Sequence, residues 1–367
     1  MTLFVSLVRN EFQKTWRSRW VVFAVLGGLF VLIAAGLYIY YVHSEGRWTP
    51  APAVAWQSTL QDQIKVNQRN IADFEQIKQQ AQPGGTIRIG REGLGIDQAI
   101  AQAKQAIADD QYLLDHNIAP VQSFAIAQAS LFALGGIVMF LLVRIFGWLA
   151  SEQIAGERSD RTITILLSRP PSRNQVLFAK ALASFLVSLF VVLVTLLIVY
   201  AMFAFWFGSP GSLTDQAGVA IDGAKPLGPG NLLEMPIWLF VLMCIGAAML
   251  GILCVQGMSL LISVLTGRWA AIGITLAVLF GAPLVSTVVA GILFLISGSR
   301  DSANFLNYLF VNILAPVSSV APTFGNSTAA AGSGINEFKV EIETLVAWTL
   351  AFFLAAWLLF RRKQEAG

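Results

Sequence analysis

Residues 181–207 read ALASFLVSLFVVLVTLLIVYAMFAFWF, 27 residues without an Asp, Glu, Lys or Arg. A helix needs about 20 mostly apolar residues to cross the hydrocarbon core of a bilayer. This run therefore places the chain in a membrane. Its composition agrees: of 367 residues, 56% are hydrophobic and 12% charged, and the mean hydropathy is +0.67. The charged share is about half that of a soluble domain. A soluble globule of this size needs more polar surface, and a disordered chain carries fewer apolar residues.

Outward from that run, further apolar stretches predict six spans in all, at 20–42, 117–149, 177–207, 235–267, 269–299 and 344–360. The first is too long for the apolar region of a cleaved signal, which covers about 7–15 residues. No small-residue cleavage site follows it, so it is expected to remain as an anchor. A seventh uncharged stretch, 302–336, is interrupted by Pro316 and Pro322. Within it, 305–324 reads as an interfacial or re-entrant segment, with an ordinary surface loop as the alternative. Irregular backbone at membrane depth must be buried in protein or line water.

Charge fixes the orientation. The segments between spans carry net charges of +3, −2, +3, −2, +1, −2 and +2 in chain order. The sign alternates at every crossing. Short segments on the basic side hold fourteen Lys and Arg, and those on the other side three. By the positive-inside rule, both termini (1–19 and 361–367) and the loop 150–176 are cytoplasmic. The segments 43–116, 208–234 and 300–343 lie outside. The total of +3 is too small and too dispersed for nucleic-acid binding.

The outer insert 43–116 is too long for a connector. Trp56, Leu60, Ile64, Ile71, Phe74 and Ile77 recur at helical spacing, as do Ile96, Ile100, Ala103, Ile107 and Leu114. Pro83-Gly84-Gly85, Gly90 and Gly95 separate them. This predicts two amphipathic helices packed as a hairpin. It reads either as a self-packed hairpin or as a domain that gates or contacts something outside. At the N-terminus, Phe4, Val8, Phe12, Trp16 and Trp20 recur every fourth residue among Arg9, Lys14, Arg17 and Arg19. That pattern predicts an interfacial helix over 1–19 anchored among membrane lipids by Phe12, Trp16, Arg17, Arg19 and Trp20. The alternative is a mere topogenic signal.

Several chemistries are excluded. No Gly-x-x-x-x-Gly-Lys-Ser/Thr occurs, so the chain has no such phosphate cradle. His43 and His116 lie at the ends of the insert, without further ligands at suitable spacing, and no metal site is predicted. Cys244 and Cys254 share one predicted helix, ten residues apart, too far for a disulfide. Spans three to six carry no ionisable residue in their apolar runs, which argues against a proton-driven carrier. Arg144, near the inner end of span two, and Lys180, near the start of span three, can snorkel to the cytoplasmic face. Gly27-Gly28 and the Ala247-x-x-x-Gly251 pair allow close helix approach.

The loop SEQIAGERSDRTITILLSRPPSRNQVLFAK, residues 151–180, is dense in charge yet holds Ile163, Ile165, Leu166 and Leu167. Pro170-Pro171 ends it in a rigid turn. Apolar residues beside charge suit a surface that docks on another protein. With Glu157, Thr162, Leu166-Leu167, Pro170, Ser172-Arg173 and Lys180 at these spacings, the chain resembles the permease subunits of type-2 ABC exporters. Many members have Gly before the Thr, where this chain has Arg161. The resemblance also covers the amphipathic start and the six-span layout. It implies an all-α membrane protein that is not itself an enzyme and binds no cofactor. It further implies two cytoplasmic ATPase subunits that hold ATP and Mg, and a second copy or a sister permease. The coupling loop would comprise Glu152, Glu157, Arg158, Arg161, Thr162, Leu166, Leu167, Arg169, Pro170 and Arg173. It would sit in a prokaryotic plasma membrane. The alternatives are a non-transporting scaffold or signal transmitter that works through the hairpin, and a secondary carrier.

Overall fold

A computed structural model describes residues 2–18, 27, 56–80, 88–89, 94–121, 124–131, 133–134, 142–160, 173–207, 212–222, 225–297 and 335–363. The predicted first span, apart from Gly27, and the segment 305–324 lie outside the described residues. The helices are α1 (Thr2–Ser18), α2 (Trp56–Gln80), α3 (Ile96–Asp115), α4 (Ala125–Ser130), α5 (Val143–Ser159), α6 (Arg173–Phe207), α7 (Ile237–Leu265), α8 (Arg268–Ser297) and α9 (Ile335–Lys363). Two small antiparallel ribbons complete them: β1 (Arg88–Ile89) with β2 (Leu94–Gly95), and β3 (Gln216–Ala220) with β4 (Leu232–Pro236). The fold is mostly helical, as expected, but the ribbons correct a purely α reading.

Among the described residues, three helical stretches are long and apolar enough to cross a membrane: Asn174–Met202, Ile237–Leu265 and Phe338–Arg362. Arg268–Ala282 is a shorter apolar helix. α7 is apolar nearly all round, the mark of a helix at the centre of a bundle. It packs against α5 on one side and α9 on the other. Gly257 makes the second contact possible, because a Cβ there would lie 3.0 Å from the Phe353 ring. Ala247 and Gly251 are buried on the same helix. At Gly27 an added Cβ meets nothing within 4 Å among the described residues, and Gly28 lies outside them.

Element boundaries depart from the sequence reading in one consistent direction. The second span was expected to end at 149, yet α5 continues through Ser159. Residues 150–159 are helix, not loop. Ala150, Ile154 and Ala155 keep the buried face continuous, and Glu157 is buried with them. α6 likewise begins at Arg173 and α9 at Ile335, both earlier than charge alone indicated.

At one end of the bundle, α2 and α3 pair antiparallel. Trp56 and Leu60 pack on Leu113, and Gln57 Nε2 donates to Asn117 Oδ1 at 2.8 Å. Lys78 and Asp97 pair at the far tip. Asn117 closes α3 in the left-handed conformation, φ 53°, which Asn tolerates better than most residues. The buried stripe of α3 runs through Ala106 and Leu113 rather than the expected Ile107 and Leu114. The hairpin is docked on the β3–β4 ribbon. Gly218 N–H donates to Ala119 O at 2.9 Å, and Leu227 N–H donates to Asp109 Oδ1 at 2.7 Å. The ribbon in turn starts α7, whose first amides, Ile237 and Trp238, donate to the carbonyls of Asp215 and Leu213 at 3.0 Å.

Beside Asp109 sits Asp110, equally buried. Burial, reinforced by the Asp109 charge, pushes the Asp110 carboxyl up to about 7. A carboxyl raised on folding binds its proton more tightly in the folded state. Its contribution is therefore fully present below the ordinary carboxylate range and is lost as pH rises towards 7. Asp110→Asn is expected to raise the melting temperature at pH 8 and to flatten its pH dependence between pH 5 and pH 8. Thermal denaturation of the purified protein at both limits checks this.

Candidate functional site: a buried ion cluster joining three helices

Glu11 and Lys14 lie three residues apart on α1 and so share one helix face. Glu157 is on the last turn of α5, and Lys180 is two turns into α6. The fold brings all four together. Lys180 Nζ lies 2.8 Å from Glu157 Oε1 and 3.0 Å from Glu11 Oε2. Lys14 Nζ lies 2.6 Å from the same Glu157 oxygen. The Lys180 side chain is 2% exposed and that of Glu157 8%, whereas Lys14 is 57% exposed. The cluster is neutral overall, with two cations and two carboxylates. It closes over its buried members and opens to solvent at Lys14.

The electrostatics follow. Burial pushes the Glu157 carboxyl up. The Lys180 charge and the hydrogen bonds from Lys14 and Lys180 outweigh it, and the group ends below its ordinary value. Glu157 is therefore held ionised in a site that excludes most water. Such a pair adds little net stability compared with apolar packing, but breaking it by removing one partner is costly.

The same end of α5 is fastened to the turn between α7 and α8. Ser263 Oγ accepts from Ala155 N–H at 2.8 Å and from Ile154 N–H at 3.3 Å. The Arg158 guanidinium donates twice to Val264 O at 3.2 Å. Arg268 lies 3.7 Å from Glu152 and 3.8 Å from Asp160. Gln153 Nε2 donates to Ser184 Oγ at 2.6 Å, a second tie between α5 and α6. α5 thus ends as a rigid strut bound to α1, α6, α7 and α8, immediately before residues 161–172.

Of the predicted loop residues, Glu152, Glu157 and Arg158 are in this strut, and Arg173 opens α6. Arg161, Thr162, Leu166, Leu167, Arg169 and Pro170 lie outside the described residues. So do Arg19 and Trp20 of the predicted anchor. Trp16 and Arg17 are on α1, with only their helix position described. Phe12 packs on the core, and with Phe4, Val5, Val8 and Arg9 it lines a groove against Leu182 and Leu186 of α6. The apolar stripe of α1 therefore faces a neighbouring span.

One expectation needs correction. Lys180 does not snorkel to a surface: it is buried, and Glu157 and Glu11 neutralise it there. Arg144 stands in the first turn of α5, with its guanidinium 4.7 Å from the centre of the Phe280 ring of α8. Glu11, Ser263 and Arg268 had no signal pointing to this site, except that Glu11 is the lone acid of the amphipathic start.

The chain matches a family model described as ABC-2 family transporter protein over residues 5–364. No curated protein matches it.

Proposed function

The chain belongs to the ABC-2 transporter permease family, and on that premise we propose that it is the membrane subunit of an ATP-driven exporter. The family assignment makes it a membrane component of an ABC transporter rather than a catalyst. The finer reading is as follows. Two ATPase subunits bind the cytoplasmic face and hold ATP and Mg. A second copy or a sister permease completes the pathway. Both termini lie in the cytoplasm of a prokaryotic cell, and six spans cross its plasma membrane.

The observation that carries this reading is the ion cluster. Glu157 ends α5 where the chain enters 161–172, and Lys180 lies just beyond on α6. Motion imposed on that loop by a closing ATPase pair would reach α5 and α6 together, because Glu157 and Lys180 are bonded. It would reach α1 as well, through Glu11 and Lys14. In this role the cluster transmits movement and performs no bond chemistry.

The test is affinity purification from native membranes in mild detergent, with mass spectrometry of the co-purifying proteins. An ATPase in fixed ratio is expected, and a second permease would distinguish a heterodimer from a homodimer. Recovery of only extracytoplasmic proteins across several detergents would overturn the reading and favour the scaffold. Glu157→Gln is expected to leave assembly intact. It should lower the stimulated part of the ATPase rate by about tenfold, since it leaves two cations facing a neutral amide. Unchanged stimulation in this variant would remove the transmitting role.

A further inference from the structure

The contact between α1 and α6 is incomplete. Glu11 is tied to Lys180, and Phe12 packs on the core beside it. Over the first turns of α1 the two helices leave a groove of about 260 Å³. Phe4, Val8 and Phe12 line it from α1, spaced by one turn and half-buried. Leu182 and Leu186 line it from α6, each 38% exposed. Val5 and Arg9 complete the lining, and both are exposed. The lining is almost wholly apolar, so Arg9 contributes its methylene stem and keeps its charged head outside.

The size of the groove excludes a helix as its occupant. One turn, about 10 Å across and 5.4 Å tall, occupies roughly 400 Å³. A single extended alkyl chain is thin enough. The surroundings suit one too. Phe178, Leu182, Leu186, Phe190, Leu193 and Leu197 form an exposed apolar stripe along α6. All six lie within Asn174–Met202, a stretch long and apolar enough to cross a membrane. Other faces of α1 expose Asn10, Gln13 and Lys14, which need water or headgroups. α1 therefore lies where acyl chains and headgroups meet. Arg9 supplies the charge complement. Among the described residues it makes no ion pair or hydrogen bond, whereas Lys14 and Lys180 are taken up by Glu157 and Glu11.

We propose that the groove holds one acyl chain of a resident anionic phospholipid, whose phosphate is bound by Arg9. The planar guanidinium offers a phosphate two parallel N–H donors. The acyl chain supplies the apolar contact that α1 and α6 lack beyond the Glu11–Lys180 pair. The bound lipid thus becomes part of the packing between the first helix and a span. The site rests on α6 crossing the membrane and stands apart from the exporter reading.

The test uses the purified full chain in phosphatidylcholine nanodiscs doped with phosphatidylglycerol that carries a photoreactive acyl chain. After irradiation, peptide mapping is expected to place the label on residues 4–12 and 182–186. Native mass spectrometry is expected to show phosphatidylglycerol retained in preference to phosphatidylcholine. Arg9→Gln changes an exposed position and should lower that preference about fivefold. Val8→Trp fills the groove and should remove most of the label from 182–186. If Val8→Trp does not fold, the wild-type map and Arg9→Gln decide. Label spread evenly over the exposed faces of the spans overturns the proposal. So does equal retention of the two lipids, or an unchanged preference in Arg9→Gln. Displacement of the label by inorganic phosphate alone would also overturn it, by showing an anion site without an acyl chain. A protein occupant is tested with Val5→benzoylphenylalanine, irradiated in native membranes. Attachment to lipid is expected. Attachment to another segment of this chain, to a second copy or to another protein would show a different occupant and overturn the proposal.

Discussion

Replacing Lys180 with methionine is expected to destabilise the protein by about 3–5 kcal/mol, the range for removing one partner of a buried ion pair. It should also abolish coupled ATPase stimulation. The shape of the side chain is nearly conserved, so the effect isolates the charge. Lys180 bridges two carboxylates on two different helices, Glu157 at 2.8 Å and Glu11 at 3.0 Å. Without it, Glu157 retains Lys14, whose side chain is 57% exposed and screened by solvent. Glu11 and Glu157 then repel each other in a site that excludes water. Adding Glu157→Met is expected to recover much of the lost stability, because a buried pair replaced whole by apolar groups costs little. It should not recover coupling. That split between melting temperature and ATPase stimulation distinguishes a transmitting cluster from a merely structural one. The pH response has a defined sign. The Glu157 carboxyl is held below its ordinary value, so its contribution is present above the ordinary carboxylate range and is lost as pH falls through the lowered value. In Lys180→Met that acid-side loss should begin at higher pH.

How much of this was legible in the sequence depends on the kind of signal. The apolar run 181–207 announces a span because length and hydropathy are local properties. The hairpin is legible for the same reason, since a 3.6-residue period marks which face is buried. What a period does not give is the partner. Glu157 and Lys180 stand out as loop residues 23 positions apart, but their contact depends on α5 running on through Ser159. Charge density argued against that continuation. Glu11 lies 169 positions from Lys180, and nothing local to either residue encodes the pairing. The β3–β4 ribbon was missed because its strands are five residues each and pair across an intervening turn. Asp109 and Asp110 read as solvated acids on an amphipathic helix. The docking of the hairpin on Leu227 buries them, and that is a tertiary event.

Gly147→Leu is the second substitution expected to have a large effect. Gly147 sits where α5 crosses both α7 and α8. A Cβ added there would lie 2.7 Å from Leu279 Cδ1 and 2.8 Å from Val255 Cγ1, closer than van der Waals contact permits. Alanine already requires both neighbours to move, at a cost of about 1 kcal/mol. Leucine adds a branched group with no space on either side, so α5 must separate from α7 or from α8. Overpacking of this kind costs about 1–3 kcal/mol in a core that can adjust. Here the upper end is expected, because α5 is also pinned at Ser263 and at the ion cluster. The control lies on the same helix: at Gly156 an added Cβ meets nothing within 4 Å, and alanine has the higher helix propensity. Gly156→Ala should therefore be neutral or slightly stabilising. A melting series of the two variants tests whether the crossing, rather than glycine content, matters. If Gly147→Leu melted like the wild type, the three helices could not be packed as described. The contact that places Arg144 over Phe280, about one turn from Gly147 on α5 and next to Leu279 on α8, would lose its basis with them.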